Sequence, residues 1–215
     1  MQFTSLAHLL NEEFLRGCYL ELGRDRASGI DGVSWQAYGE NLNENLASLV
    51  KRMKAKQYRP QPAKRVYIPK NEHEKRPLGL PSLEDKIVQK GIFLILEAIY
   101  EQDFLDCSYG FRPGRSCHDA LRTVDQMIMK RPVRYVIEAD IKGFFDNVSH
   151  DWLLKMLEVR INDPSFLLLI RRFLKAGYIE EGSLVRTEQG TPQGGNLTPQ
   201  TMLQKPLFRG LSKRE

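Results

Sequence analysis

Pro60, Pro62, Pro69, Pro77 and Pro81 rule out a continuous helix between Tyr58 and Pro81, because proline donates no backbone hydrogen bond and clashes with the turn before it. Between them lie a β-rich run, Arg65-Val-Tyr-Ile68, and an extended piece, Pro77-Leu-Gly-Leu-Pro81, which together predict a hairpin. The flanks read as helical. Apolar spacing predicts one helix over Leu6 to Leu22, stopping at Gly23, and a second from Ser34 to about Lys56. Ser82 predicts the cap of a long helix running to about Asp103, and a further helix is expected from Arg115 to about Lys130. Asp163-Pro164 predicts a helix ending near Gly177, and Tyr178 to Arg186, with Glu181-Gly182 at its turn, reads as a second hairpin. Helices mixed with isolated hairpins predict an α+β chain.

The proline-rich stretch also carries the charge. From Lys51 to Lys90 twelve Lys and Arg face four acids, a local +8 in a chain whose total is +5. Such a block is either a solvated helix face or an electrostatic footprint for phosphates. The prolines leave no long amphipathic helix to carry it, which favours a nucleic-acid partner.

Other classes are disfavoured. The longest apolar stretches, Gly91 to Tyr100 and Ser165 to Ile170, fall short of the roughly 20 residues that cross a bilayer, so no membrane association is expected. Met1 to Leu10 has neither a basic lead-in nor an apolar run of signal-peptide length, which predicts a cytoplasmic protein. Cys18, Cys107 and Cys117 are odd in number and far apart, so they read as buried thiols and not as disulfide or zinc partners, Cys117 beside His118 included.

Tyr135-Val-Ile-Glu-Ala-Asp-Ile141 is the best strand candidate, with Tyr135, Ile137, Ala139 and Ile141 on one face and Val136, Glu138 and Asp140 on the other. A carboxylate fixed at a strand end, followed by the free carbonyl of Ile141, suits a hard divalent cation. An acid there also serves commonly as a helix cap or salt-bridge partner.

Its surroundings decide between these readings. Tyr135-Val-Ile-Glu-Ala-Asp-Ile-Lys-Gly-Phe-Phe-Asp-Asn-Val-Ser-His150 resembles the first palm motif of group II intron reverse transcriptases almost letter for letter. Arg76-Pro-Leu-Gly-Leu-Pro81, Tyr109-Gly-Phe-Arg-Pro-Gly-Arg-Ser116 and Gly190-Thr-Pro-Gln-Gly-Gly195 are similar to further blocks of that family in the same order. Arg26 to Gly32 and Tyr58 to Lys70 extend the resemblance, which spans about residues 1 to 198. Retron and CRISPR-associated relatives share the palm blocks, and Tyr109 to Ser116 favours the intron branch.

The resemblance implies right-hand polymerase fingers plus a partial palm, an antiparallel sheet with packed helices. It divides the chain into an N-terminal helical extension (1–50), a reverse transcriptase domain (51–200) and an aberrant tail (201–215). It implies RNA-directed DNA synthesis with Mg²⁺, acting on an RNA template, a DNA primer and dNTPs, with intron RNA as a further partner. Oligomeric state stays open. Asp140 and the Ile141 carbonyl would hold metal, and Phe145 would bar a 2′-hydroxyl. Lys70 and Arg76 would grip the triphosphate, and Gln193 and Gly194 would line the nucleotide pocket. Arg112 and Arg115 would contact template or primer phosphates, or equally pair with nearby acids.

One part of the pattern is missing. The family completes its metal site with Tyr-x-Asp-Asp, and no Asp-Asp pair occurs in these 215 residues. Pro206 interrupts any helix begun at Thr201. The expectation is a C-terminally truncated member, inactive alone, with a non-catalytic, maturase-like RNA-binding module as the alternative and a nonfunctional remnant as a third reading.

Overall fold

The computed structural model describes residues 2–190 apart from 26, 70, 73, 144 and 145. Most helices begin where a side chain satisfies the free amides of a first turn. Asn11 accepts from Phe14 and starts α1 (Glu12–Glu21). Leu6 to Leu10 therefore stay outside that helix, with only a 3-10 turn over Ala7–Leu9. Ser34 caps α2 (Trp35–Glu40), and Asn41, at φ −123°, interrupts the expected long helix before α3 (Leu42–Lys54).

Past the prolines, β1 (Ala63–Pro69) and β2 (Lys75–Leu80) form the expected antiparallel hairpin, with Ile68 opposite Arg76. Ser82 caps α4 (Leu83–Tyr100), and α5 (Cys117–Lys130) starts in a reciprocal box in which Ser116 and Asp119 each bond the other's amide. Ser149 caps α6 (His150–Glu158), a helix that the apolar spacing did not single out. Asp163 caps α7 (Pro164–Leu174), and β3 (Tyr178–Glu180) turns through Glu181-Gly182 into β4 (Ser183–Val185).

The two hairpins join into one sheet of order β2-β1-β3-β4. The join is parallel, Ala63 opposite Tyr178 and Lys64 opposite Ile179, so the sheet is mixed and not wholly antiparallel. The core sits around α4. Its Ile87, Val88, Ile92 and Leu96 are fully buried in one cluster with Leu15 of α1, Leu46 and Leu49 of α3, Leu153 and Leu157 of α6, and Phe166 of α7. Each such side chain contributes about 1.5–3 kcal/mol on burial. Gly91 permits the close approach of α1 and the turn before it, since a Cβ there would meet Leu10 Cδ2 at 2.8 Å and Leu15 Cδ2 at 3.3 Å.

Asp163 also ties down the chain start. Its carboxylate accepts the amides of Leu6 (2.7 Å) and Ala7 (2.8 Å) besides those of Ser165 and Phe166. Phe3 donates to Arg160 O at 2.8 Å and accepts from Asn162 at 2.7 Å.

Two further expectations, the strand at Tyr135 to Ile141 and the buried cysteines, are corrected. The run Tyr135 to Ile141 forms no strand, and residues 131–143 are exposed throughout. A strand needs a lateral neighbour for its amides and carbonyls, and no described strand lies beside this run. Helix α5 buries none of its residues, and Leu121, Val124, Met127 and Ile128 lie on the surface. Of the cysteines only Cys18 is buried, its thiol pushed up to about 11 by burial and then by Glu21. Cys107, in a loop, and Cys117, opening the exposed α5, face solvent. Among the described residues no helix is long and apolar enough to cross a membrane.

Candidate nucleic-acid interface

The hairpin root is built on buried polar groups. Asp85, 2% exposed, accepts the Tyr58 hydroxyl and the Gln61 amide (2.9 Å), fixing the segment that leads into β1. Burial raises the Asp85 carboxyl to about 6, against the opposing pull of its bonds from Tyr58, Ser82 and Gln61. Burial, followed by the Asp85 charge, likewise holds the Tyr58 hydroxyl well above the ordinary range. From the sequence alone Asp85 is only an acid in the first turn of the helix that Ser82 caps, where the helix dipole favours it. On the outer side, Arg65 lies 3.6 Å over the Tyr178 ring and Tyr67 donates to Glu180, locking β1 to β3.

Farther out, Lys75 and Arg76 are exposed on β2 and in no ion pair with a described residue. Lys70, predicted on the facing arm, lies outside the described residues, as do Phe145, Gln193 and Gly194.

Asp140 and Ile141 stand on the exposed run, Ile141 60% exposed, and the Asp140 carboxylate makes no ion pair with a described residue. The turn that follows is fixed by Gly143, at φ +61°, whose carbonyl accepts the amides of Asp146 (3.1 Å) and Asn147 (3.2 Å) and the Asn147 side chain (2.8 Å). A Cβ on Gly143 would press on Asn147 Nδ2 at 3.0 Å.

Immediately beyond, the chain is stitched to a distant motif. Gly190 donates to Val148 O at 2.7 Å, and its own carbonyl lies 2.6 Å from His150 Nε2. Ser149 bridges Gln189 in antiparallel fashion. Gly190 is buried with φ +81°, a backbone that favours glycine. The first residue of the glycine block is thus held beside the loop that carries Asp140. His150 closes the palm motif in the sequence without a role of its own there; its position between two motifs was the signal that could have found it.

The two turn arginines differ. Arg112, its side chain 7% exposed, forks onto Glu101 (2.7 and 3.1 Å) and donates to the carbonyls of Leu105 and Ser108 (2.9 Å each). Of the two roles foreseen for it, the ion pair is the one formed, and its donors are committed. Arg115 donates to Asp106 O at 3.0 Å and only grazes that carboxylate at 3.5 Å, leaving capacity for another partner. Just before Arg112, Phe111 is 71% exposed at φ 55°, a strained backbone for a bulky residue that the sequence did not betray.

These blocks have known counterparts. The family described as "Reverse transcriptase (RNA-dependent DNA polymerase)" matches residues 68–212. The group II intron-encoded protein LtrA of Lactococcus lactis subsp. cremoris is 39% identical over 199 residues, 92% of this chain. The chain belongs to the group II intron reverse transcriptase/maturase family. Protein YkfC of Escherichia coli (strain K12), 41% identical over 174 residues, matches 80% of it. This family member spans 33% of the length of LtrA and 46% of YkfC. In fold it is similar to a chain of the solved "Partial Cas6-RT-Cas1--Cas2 complex", with TM-score 0.56 and 25% identity over 97% of this chain and 34% of that one. The likeness agrees with an α+β fingers and partial palm.

Proposed function

We propose that this chain supplies the fingers and the first part of the palm for RNA-directed DNA synthesis of the group II intron type. The observation that carries the reading is the stitch between Gly190 and Val148 and His150, which brings the start of the glycine block beside the Asp140 loop. In this reading Asp140 and the Ile141 carbonyl are ligands for Mg²⁺, Phe145 is the sugar gate, and Lys70 and Arg76 close on the triphosphate of a dNTP. Gln193 and Gly194 line the nucleotide pocket, and RNA template and DNA primer lie against the exposed basic hairpin. Arg115 remains a phosphate contact; Arg112 serves the turn itself. The setting on this reading is the cytoplasm.

The residues present do not make a metal site by themselves. Asp140 is a single exposed carboxylate, and among the described residues no three His, Cys, Asp or Glu side chains gather. One carboxylate does not hold two divalent ions against their mutual repulsion. The 215-residue chain is therefore inactive alone, and its activity requires further carboxylates of the Tyr-x-Asp-Asp kind. Primer extension on an RNA template tests this: no product is expected from the purified chain, and magnesium-dependent DNA synthesis overturns the reading.

Lys75 and Arg76, exposed and in no ion pair with a described residue, also favour a second reading, a non-catalytic module that grips intron RNA. RNA binding that weakens with salt and is untouched by Asp140→Ala supports it. Loss of binding in that variant counts against it.

A further inference from the structure

A second basic surface lies beside the root of the finger hairpin and does not include Lys75 or Arg76. A cleft of about 790 Å³ opens between the segment Arg59 to Pro62, the C-terminal end of α7, the start of α6 and the segment leaving β4. Arg59, Arg171, Arg172, Lys175 and Arg186 line it, against two acids, Asp151 and Glu188. None of the five cations is in an ion pair with a described residue. Arg59, Arg171, Lys175 and Arg186 are exposed.

The bland explanation covers only part of this. Cations in the last turn of α7 complement its dipole, which accounts for Arg171 and Arg172. It does not account for Arg59 and Arg186, which come from other elements. Nor does it account for the crowding of Arg59 and Arg172. Arg172 donates to the carbonyls of Tyr58 (2.8 Å) and Lys56 (2.9 Å), and Arg59 donates to the same two oxygens at 3.2 and 3.0 Å. Two guanidiniums are thereby held together by shared acceptors, next to Pro60 and Pro62, which stiffen the backbone. Burial, and then the Arg59 charge, lower the proton affinity of Arg172. Like charges held in one place attract a polyanion.

We propose that this cleft binds the sugar-phosphate backbone of an RNA strand, as a site separate from the fingers. The cations come from three stretches of chain around a cleft of about 790 Å³, more room than one small anion fills. Exposed side chains of this kind make wet, sequence-independent phosphate contacts. The proposal rests on the nucleic-acid reading of the family given above.

The test is fluorescence anisotropy of the full chain with a short fluorescein-labelled single-stranded RNA, titrated at several salt concentrations. Three proteins are compared: the unaltered chain, Arg171→Gln/Lys175→Gln/Arg186→Gln, and Lys75→Gln/Arg76→Gln. Taking three cations away from the phosphates of a single strand lowers the slope of log affinity against log salt by about 2, and weakens binding roughly ten-fold or more. That result in the cleft variant, with binding restored by Arg171→Lys/Arg186→Lys in which Lys175 is kept, supports the site. Unchanged affinity and slope in the cleft variant, while the unaltered chain binds, removes the cleft and leaves the family reading standing. An unaltered chain that binds no RNA removes both. Displacement of the RNA by polyglutamate at equal charge makes an acidic protein the occupant and overturns the proposal. Circular dichroism melts coincident with the unaltered chain establish that the variants fold, as expected for exposed side chains.

Discussion

Replacing Arg112 separates a turn staple from a nucleic-acid contact. Arg112→Ala removes two bonds from a nearly buried guanidinium to the carbonyls of Leu105 and Ser108, together with the fork onto Glu101. Charge-assisted bonds contribute about 1.5 kcal/mol each at the lower end of their range, the end that suits a half-buried and an exposed acceptor. Glu101 is 32% exposed and rehydrates when its partner leaves, so that pair adds under about 1 kcal/mol. The loss comes to about 3 kcal/mol, or roughly 6–12 °C in Tm for a chain of this size. Arg112→Lys keeps the charge but reaches only one arm of the network, and about half the loss is expected. Urea unfolding followed by circular dichroism measures both. RNA affinity of the folded fraction should be unchanged in either variant. An Arg112→Lys protein that melts like the unaltered chain yet loses RNA binding ten-fold would reverse the assignment and return Arg112 to the phosphate contacts.

Asp85 gives a pH signature. Its folded carboxyl titrates at about 6 instead of the ordinary 3.8, so the folded state holds the proton more tightly. The associated stability is full below 3.8 and is lost as pH rises through 6, about 3 kcal/mol at most. Urea midpoints of the unaltered chain and Asp85→Asn from about pH 4 to about pH 7.5 should shift in favour of the Asn variant as pH rises, and a constant gap refutes the argument. Asp163→Ala strips acceptors from four amides, one of them the buried Leu6 amide. Loss of the cap and an orphaned amide together predict about 3 kcal/mol of destabilisation. Hydrogen exchange should accelerate at Leu6 and Ala7 as well as at the start of α7, and an effect confined to α7 would mean the chain start is held by other contacts.

The sequence made legible what short-range chemistry determines. Ser34, Ser82 and Asp163 each cap where their residue type predicts, Ser116 caps α5 one residue past the expected start at Arg115, and the prolines delimit the β1–β2 hairpin to within two residues. The breaks at Asn11 and Asn41 were hidden because apolar spacing runs across them without a flaw. The run Tyr135 to Ile141 shows the opposite failure: β propensity was strong, but a strand also needs a neighbour, and propensity does not say whether one is there. For the site, the motif order announced Asp140 and the glycine block. It could not reveal that Val148 and His150 hold Gly190, or that Arg112 spends its donors on its own turn.

Strand β1 joins the two hairpins, and that has a mechanical consequence. With Ala63 and Lys64 paired to β3 on one side and Lys64 to β2 on the other, the base of the finger is bolted to the same frame that carries Lys175 and Arg186. The finger cannot pivot there as a free lever. Curling toward a bound strand has to arise in the outer half, past Tyr67, while a load on the tip passes through β3 into the end of α7.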